Sequence, residues 1–137
     1  MSNEPYDREA LIAAARQARE NAYVPYSKFK VGAALLTASG RVFTGCNVEN
    51  ASSGATICAE RTAIVKAVSE GERDFKAIAV VADAPEFASP CGICRQVMVE
   101  FNPELPIIMA NLRGECRVES AASLLPLAFT KAAMEQP

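Results

Sequence analysis

The chain has 137 residues, half of them apolar, and its 14 basic and 16 acidic side chains leave a net charge of −2. This balance excludes the basic surface with which a protein holds a nucleic acid backbone. Residues 1–9 are polar and acidic rather than a secretory signal, and the longest apolar run, residues 77–82, is too short to cross a bilayer. We therefore expect one cytoplasmic domain over residues 1–137, with no nucleic acid or membrane partner.

Five cysteines and the lack of histidine narrow the chemistry of the chain. In a cytoplasmic protein, cysteines serve as free thiols or metal ligands more often than as disulfides. Histidine is the commonest general base and the commonest zinc ligand. Any acid–base chemistry must therefore come from carboxylates, thiols, Tyr, Lys or a metal-bound water.

The first half of the chain is predicted to form a helix and then a β-hairpin. Residues 7–22 place apolar side chains on one stripe, and Asp7 suits the N-cap, which is typical of a helix. Residues 30–37 are a β-branched and aliphatic run, and residues 41–49 alternate in polarity. The Ser-Gly pair at 39–40 favours a turn between these two predicted strands.

The second half alternates between helices and strands. The predicted order is a helix at 56–69, a strand at 76–83, a helix at 89–101, strands at 105–110 and 116–118, and a short helix at 121–125. Thr56 and Ser89 are the expected N-caps of the two longer helices. Because helices that follow strands imply crossover connections, the sequence predicts an α/β fold whose mixed sheet is covered on both faces.

A C-x-x-C pair, Cys91 and Cys94, stands near the start of the predicted helix at 89–101. Residues three apart on a helix share a face, so both sulfurs can reach one ion. A helix N-terminus lowers the pKa of a thiol and favours the thiolate that binds zinc. The pair by itself also suits a redox couple or two core cysteines, so its spacing leaves the interpretation open.

Cys58 and Glu60 stand near the start of the other long helix. Glu60 heads an apolar stripe that continues through Ile64, Ala67 and Val68. A first-turn Glu can simply face solvent, where the helix dipole favours it. Because burial of a carboxylate is costly, the place of Glu60 on an apolar stripe favours a functional role instead. Three thiols and one carboxylate at two helix N-termini suit a catalytic zinc site, which uses three protein ligands and leaves one position for water.

The remaining cysteines and two arginines complete this interpretation. Cys46 fits the apolar face of its strand as a buried core residue, and Cys116 is assigned no role. We therefore expect no fourth zinc ligand from the protein. Zinc at such an open site lowers the pKa of its water, and Glu60 can take the proton, which is hydrolytic chemistry. Arg61 or Arg95 can donate to the sulfurs and offset the charge of three thiolates.

The sequence around these residues resembles the zinc signature of the cytidine deaminases. The likeness is carried by residues 58–61 (Cys-Ala-Glu-Arg) and 90–95 (Pro-Cys-Gly-Ile-Cys-Arg), and it extends to 22–29, 31–35, 45–50 and 124–126. It is similar in particular to the small homotetrameric nucleoside deaminases, whose first zinc ligand is Cys rather than His. The resemblance implies a three-layer α-β-α fold with a mixed five-stranded sheet, a zinc cofactor, and deamination of cytidine and 2′-deoxycytidine in pyrimidine salvage.

The resemblance also implies a role for individual residues. Cys58, Cys91 and Cys94 would hold zinc, and Glu60 would carry protons between water, ring N3 and the departing ammonia. For the substrate, the resemblance implies that the Ala59 N–H binds the pyrimidine carbonyl, that Phe29 stacks on the ring, and that the ribose hydroxyls are bound by Asn47 and Glu49. It also implies that Phe129 reaches into a neighbouring protomer's site. Around the zinc ligands, Arg61 would donate a hydrogen bond to sulfur and Gln96 would support the ligands. Asn47 and Glu49 are two residues apart on a predicted strand, so we expect them to share a face.

One position departs from the family pattern. Ser53 stands where the family usually has an aromatic residue, often Tyr. The smaller side chain, with Gly54 and Ala55 beside it, should leave more room in the pocket. We therefore expect bulkier substituents on the exocyclic nitrogen of cytidine to be accepted.

Three other functions fit part of the pattern. A deaminase of an aminoacyl-nucleoside antibiotic would share the zinc and Glu60, but it would differ at the ribose position where Glu49 stands. A structural zinc module for protein binding would need a fourth ligand and would not need Glu60. A redox protein would use Cys91 and Cys94 as a reversible disulfide and hold no metal.

Overall fold

The computed structural model describes residues 4–135, so residues 1–3 and 136–137 of the expected 1–137 domain lie outside it. The helices are α1 (Arg8–Ala18), α2 (Ala59–Ser69), α3 (Gly92–Phe101), α4 (Ala121–Leu124) and α5 (Lys131–Met134). The strands are β1 (Val31–Thr37), β2 (Val42–Cys46), β3 (Phe75–Ala82), β4 (Pro106–Ala110) and β5 (Cys116–Ser120). The predicted order is confirmed as far as α4, and the short helix α5 was not predicted from the sequence.

The strands form one five-stranded sheet in the order β2-β1-β3-β4-β5. Strands β3 and β4 are parallel, and the other neighbouring pairs are antiparallel. The hairpin of β1 and β2 turns at Gly40, whose φ of 94° is a left-handed conformation that favours glycine. Because β3 and β4 are parallel and joined through α3, the loops that follow them meet at one edge of the sheet.

Helices cover both faces of the sheet. On one face, Leu11 and Ala15 of α1 pack with Ala34, Ala79 and Ile108. On the other face, α2, α3 and α4 pack against side chains that alternate with those, such as Leu35, Val80 and Ile107. The three-layer α-β-α fold with a mixed five-stranded sheet is therefore confirmed.

Two glycines bring helices directly onto the hairpin. A Cβ atom at Gly32 would lie 1.9 Å from the carbonyl oxygen of Ala15, and one at Gly45 would lie 2.5 Å from that of Ala59. No side chain fits at either position. The second contact fixes the first turn of α2, which carries functional residues, against β2.

Helix α2 begins two residues later than the Thr56 cap predicts. Residue Ile57 forms an isolated bridge with Val48, with backbone hydrogen bonds of 2.9 and 3.0 Å. The Thr56 hydroxyl accepts from the backbone of Asn50 at 3.1 Å instead of capping a helix. The N-cap is Cys58, and its side chain makes no capping hydrogen bond.

Three other predicted boundaries are also wrong. Helix α3 begins at Gly92 with Cys91 as its N-cap, while the Ser89 hydroxyl accepts from Arg95 at 2.8 Å. Helix α1 is capped by Asp7 as predicted, but it ends at Ala18, and residues 19–21 tighten into a 3₁₀ turn. Strand β2 ends at residue 46 rather than 49.

Candidate functional site

Three cysteine sulfurs meet where α2 and α3 begin. Cys58 and Cys91 are the N-cap residues of these helices, and Cys94 lies in the first turn of α3. The sulfurs of Cys58 and Cys91 are 3.7 Å apart, and all three lie within 4.8 Å of one another. Three thiolates on one tetrahedral zinc ion, with bonds of about 2.3 Å, stand about 3.8 Å apart. The donor type and spacing therefore fit one zinc ion.

The thiols of this group differ in their affinity for protons. A hydrogen bond with Cys94, and the guanidinium of Arg61, lower the pKa of Cys58 to about 5. The same hydrogen bond with Cys58, together with burial, raises the pKa of Cys94. Because zinc takes thiolates, metal binding here releases protons.

Glu60 lies on the buried side of the first turn of α2. Only 4% of the residue is exposed, so the predicted inward stripe is observed. Burial is the main cause that raises the pKa of Glu60 to about 7, and the Cys58 thiolate adds to it. A carboxyl that gains and loses a proton near neutral pH suits general acid–base chemistry.

The two arginines predicted to serve the sulfurs take different positions. Arg61 donates to the sulfur of Cys58 over 3.5 Å. Arg95 instead donates to the carbonyl oxygens of Pro90 and Leu124 and to the Ser89 hydroxyl, each over 2.8 Å. Its contacts therefore anchor the backbone that leads into Cys91, and the alternative of a direct hydrogen bond to sulfur is not observed for it.

Gln96 follows Arg95 on α3 and also reaches towards the C-terminal segment. Its side-chain amide donates to the carbonyl oxygen of Phe129 over 2.6 Å. The Phe129 side chain is 64% exposed and does not line the cavity described next. Gln96 therefore connects the helix that carries Cys94 to this exposed segment, and its support of the zinc ligands stays a prediction.

A cavity of about 390 Å³ opens beside the sulfurs. Its wall combines predicted site residues with residues that sequence reasoning passed over. The predicted ones are Phe29, Asn47, Cys58, Ala59, Glu60 and Cys91, and the others are Val31, Thr56, Val80, Ala84, Phe87, Ala88 and Ser89. Most of the missed residues belong to the loop after β3. No sequence motif marks this loop, and its place at the site is evident only once β3 and β4 are seen to pair in parallel.

Asn47 and Phe29 are joined through the backbone. The Asn47 amide donates to the carbonyl oxygen of Phe29 over 2.8 Å and accepts from the N–H of Val31 over 2.9 Å. Phe29 is 46% exposed, and its side chain borders the cavity. Asn47 therefore fixes the backbone that presents Phe29 to the cavity.

Glu49 binds the same segment nearer its start. One carboxylate oxygen accepts from the N–H groups of Tyr26 and Ser27 over 3.0 and 3.1 Å, and the other accepts from the Ser27 hydroxyl. The hydrogen bond from that hydroxyl is the main cause that lowers the pKa of Glu49. The carboxylate is therefore ionised, and it borders a neighbouring cavity of about 320 Å³ that shares Thr56 with the first.

The other two cysteines lie apart from the sulfur group. Cys46 ends β2 and is half-buried, as is Cys116 at the start of β5. Cys116 lies 4.0 Å from the guanidinium of Arg8. Within residues 4–135, no fourth Cys, His, Asp or Glu joins Cys58, Cys91 and Cys94 in their group.

Comparison with known proteins gives this arrangement a family. A family model described as the cytidine and deoxycytidylate deaminase zinc-binding region matches residues 5–110. A cytidine deaminase of Sporosarcina psychrophila is 56% identical over 91% of this chain and 93% of its own. The crystal structure of cytidine deaminase from Burkholderia pseudomallei aligns with a TM-score of 0.89 and 55% identity, over 90% of this chain and all of that one. A blasticidin-S deaminase of Bacillus cereus is 30% identical over 77% of this chain and 80% of its own.

The fold and the sulfur group thus define a zinc-binding deaminase, which is a hydrolase. The chain belongs to the cytidine deaminase family. Zinc is its cofactor, and the three-cysteine group fits one ion per chain. In the part of the chain that the structure describes, no helix has the length and apolar character to span a membrane.

Proposed function

We propose that the chain converts cytidine and 2′-deoxycytidine into uridine and 2′-deoxyuridine by hydrolysis, with release of ammonia, as a step of pyrimidine salvage. The observation that carries this proposal is the buried Glu60, which borders the same cavity as Cys58 and Cys91. Hydrolysis of an amine needs a proton carrier beside a metal ion that has three protein ligands and one open coordination position. The relatives named cytidine deaminase support the choice of substrate.

In the proposed mechanism, Cys58, Cys91 and Cys94 would hold a zinc ion, whose chemical contribution would be to lower the pKa of the attacking water. Glu60 would take a proton from the attacking water and deliver it to ring N3, and would then pass the proton of the new C4 hydroxyl to the amino group, which leaves as ammonia. The N–H of Ala59 binds the pyrimidine carbonyl. Ala59 begins α2, where backbone donors have no partner within the helix and are free for a ligand.

Two side chains next to the ligands would support this chemistry. The Arg61 guanidinium offsets the negative charge of the thiolates through its hydrogen bond to Cys58. Gln96 supports the ligands less directly, since it ties α3 to the carbonyl oxygen of Phe129. Both roles are part of the proposal.

Three residues would bind the nucleoside: Phe29 and Asn47 border the cavity beside the sulfurs, and Glu49 borders the neighbouring one. Phe29 would stack on the pyrimidine ring, since its half-exposed ring borders the cavity. Asn47 would bind a ribose hydroxyl, because its amide keeps one N–H and one lone pair beyond its two backbone contacts. Glu49 would accept from a second hydroxyl, because an ionised carboxylate has about four acceptor sites and the Tyr26–Ser27 segment takes three.

We also propose that the chain is a homotetramer in which Phe129 reaches the site of a neighbouring protomer. Phe129 is 64% exposed, and Leu127 beside it is fully exposed, which is unfavourable for large apolar side chains in an isolated chain. Light scattering on the purified protein should give a mass of about four chains. A monomer at working concentration would contradict this part of the proposal.

Room for substituents on the exocyclic nitrogen is a separate proposal. Ser53 is exposed, borders the 320 Å³ cavity, and precedes Gly54, where a Cβ atom would meet nothing within 4 Å. The test is turnover of an N4-alkylated or N4-acylated cytidine beside cytidine itself, with Ser53→Tyr as the matched variant. The substituted substrates should lose turnover in the variant. No turnover of any substituted analogue by the unaltered protein would contradict this proposal.

An aminoacyl-nucleoside antibiotic is the second candidate substrate. The 30% identity to a blasticidin-S deaminase favours it, because such an enzyme would share the zinc ligands and the buried carboxyl. Glu49, held ready as an acceptor for a free ribose, favours cytidine instead. Blasticidin S offered in the same assay as cytidine distinguishes the two substrates.

A structural zinc module and a redox protein remain the candidates of other classes. Neither accounts for a carboxyl buried beside the sulfurs, and a structural site would use a fourth ligand. We further propose that the chain is a single domain over residues 1–137 and acts in the cytoplasm, where cysteines stay reduced and able to bind zinc.

The deciding experiment combines zinc content with the ultraviolet change from cytidine to uridine. The unaltered protein should hold about one zinc per chain and convert cytidine. Glu60→Gln should keep the zinc and lose activity by about 1,000-fold, within the range for loss of a general acid–base group. Glu100→Gln, an exposed change on α3, is the matched control and should change neither. Bound zinc with untouched cytidine would contradict the substrate, and a folded, reduced protein without zinc would contradict the site.

A further inference from the structure

Three polar side chains are buried among residues 4–135: Thr37, Glu60 and Asn111. Thr37 serves the β-hairpin turn through Ser39 and Arg41. Glu60 belongs to the proposed chemistry. Asn111 is 4% exposed, follows β4 directly, and has no part in the mechanism above. Its partners therefore indicate a different task.

The Asn111 amide can adopt only one orientation. Its oxygen accepts from the N–H groups of Arg113 and Glu115 over 2.9 and 3.0 Å, and only an oxygen can accept there. Its nitrogen faces three acceptors, namely the carbonyl oxygens of Ala84 and Glu86 and the carboxylate of Glu115. The amide thus links the turn after β4 to the loop after β3.

That loop, residues 83–89, is one wall of the cavity. Ala84, Phe87, Ala88 and Ser89 all border it. Arg113 adds a 2.6 Å hydrogen bond to the Ala84 carbonyl. Since Arg113 already donates to the Ala84 carbonyl, the two amide hydrogens of Asn111 suffice for the Glu86 carbonyl and the Glu115 carboxylate. Asn111 and Arg113 therefore hold this wall from the neighbouring parallel strand.

The zinc ligand that follows the loop has its own anchor. Arg95 donates to the carbonyl oxygen of Pro90 and to the Ser89 hydroxyl, each over 2.8 Å. Cys94 and Glu60 are carried by helices. Loosening residues 83–88 should consequently move the wall with Phe87 while the ligands stay in place.

We propose that Asn111 is a positioning residue for substrate binding: it holds the 83–89 wall, and so Phe87, against the bound pyrimidine nucleoside. This role rests on the proposed function. Because the wall contacts ground state and transition state alike, its loss raises KM and leaves kcat nearly unchanged.

Asn111→Asp tests the proposal, because it keeps the oxygen that accepts from Arg113 and Glu115 but turns a second oxygen towards two carbonyls and a carboxylate. KM for cytidine should rise about tenfold, as loss of a hydrogen bond to a buried group gives. The value of kcat and the zinc content should stay within about twofold. The backbone amides of residues 84 and 86–88 should exchange hydrogen faster than in the unaltered protein.

Asn102→Asp is the matched control. Asn102, the C-cap of α3, makes two contacts of the same kind away from the cavity: its amide donates to the Phe75 carbonyl over 3.0 Å and accepts from the N–H of Glu104 over 3.0 Å. It should lose stability without a change in KM. Arg113→Gln, at an exposed position, should fold even if Asn111→Asp does not, and should raise KM about threefold.

An unchanged KM in a folded, zinc-loaded Asn111→Asp protein, or in Arg113→Gln if the first variant does not fold, overturns the proposal. An equal rise of KM in Asn102→Asp also overturns it, because the effect would then follow from stability alone. Failure of the unaltered protein to convert cytidine is a different result, which contradicts the proposed function. The exchange rates of residues 84 and 86–88 still test the hold on the wall in that case.

Discussion

Helix α1 and the pair α2 and α3 pack on opposite faces of one sheet, and they begin in different ways. Helix α1 has Asp7 as its N-cap, and the carboxylate accepts from the N–H of Ala10 over 3.1 Å. Helices α2 and α3 have Cys58 and Cys91 at the same position, and neither side chain makes a capping hydrogen bond. The N-cap residue makes a structural hydrogen bond on one face, and on the other face it is a proposed zinc ligand.

The difference shows where function overrides local stability. An Asp, Asn, Ser or Thr cap stabilises a helix by about 1 kcal/mol relative to an uncapped end. Cys58 and Cys91 forgo that gain, and the free first-turn N–H groups and the positive end of each helix dipole face the thiols instead. Substitution of these N-cap residues and removal of the metal should therefore affect the two faces differently.

Cys58→Ser should have the largest effect. Serine is a better N-cap than cysteine, but its hydroxyl does not replace a thiolate ligand. We expect loss of zinc and a fall in cytidine deamination larger than the about 100-fold that follows substitution around a metal site. Zinc content and steady-state kinetics measure both, and Cys46→Ser, away from the sulfur group, should change neither. Full zinc content in Cys58→Ser would contradict the ligand assignment.

Removal of zinc with a chelator should affect the two faces unequally. The first turns of α2 and α3 lose the ion that links them, whereas α1 keeps its own cap. Hydrogen exchange of the amides in residues 59–62 and 92–95 should accelerate by at least about tenfold. The amides of residues 8–18 should exchange at an unchanged rate. Equal acceleration in α1 would mean that the metal stabilises the whole domain rather than one face.

Asp7→Ala should lower stability without touching activity. The expected loss in the free energy of unfolding is about 1 kcal/mol, because the side-chain acceptor for the Ala10 N–H is removed. Denaturant titration measures it, and Asp7→Asn, which keeps an acceptor oxygen, should lose much less. Zinc content and KM for cytidine should not change. An altered KM would show that α1 is coupled to the site across the sheet.

Ser89→Ala should have the smallest effect on stability, below about 0.5 kcal/mol. Ser89 does not cap α3, and its hydroxyl accepts one exposed hydrogen bond from Arg95, which keeps two carbonyl partners. The same denaturant titration compares it with Asp7→Ala. A loss as large as that of Asp7→Ala would mean that Ser89 stabilises the start of α3 as a cap does.

Local patterns in the sequence predicted most of the fold. Alternating and apolar runs predicted the five strands, and the apolar stripe headed by Glu60 predicted the burial of that residue. Both predictions succeed because each pattern depends only on residues that are close in the sequence. The pairing of Cys58 with Cys91 and Cys94 followed from their positions at two helix starts together with the family resemblance. The short helix α5 was missed, since four residues carry little periodic signal.

Tertiary contacts decided what the local patterns missed. Helix α2 begins at Ala59 because Ile57 pairs with Val48, a residue of the segment after β2. Arg95 binds backbone carbonyls rather than sulfur because the chain before Cys91 and the end of α4 meet beside it.

Residue types alone were enough to predict zinc-dependent hydrolysis: three thiols, one carboxyl that shares an apolar stripe, and no histidine. The wall of the cavity, where Asn111 binds the loop that carries Phe87, became visible in the folded sheet. Because β3 and β4 are parallel neighbours, the loops after them meet at one edge although they are distant in the chain. No local pattern records that meeting.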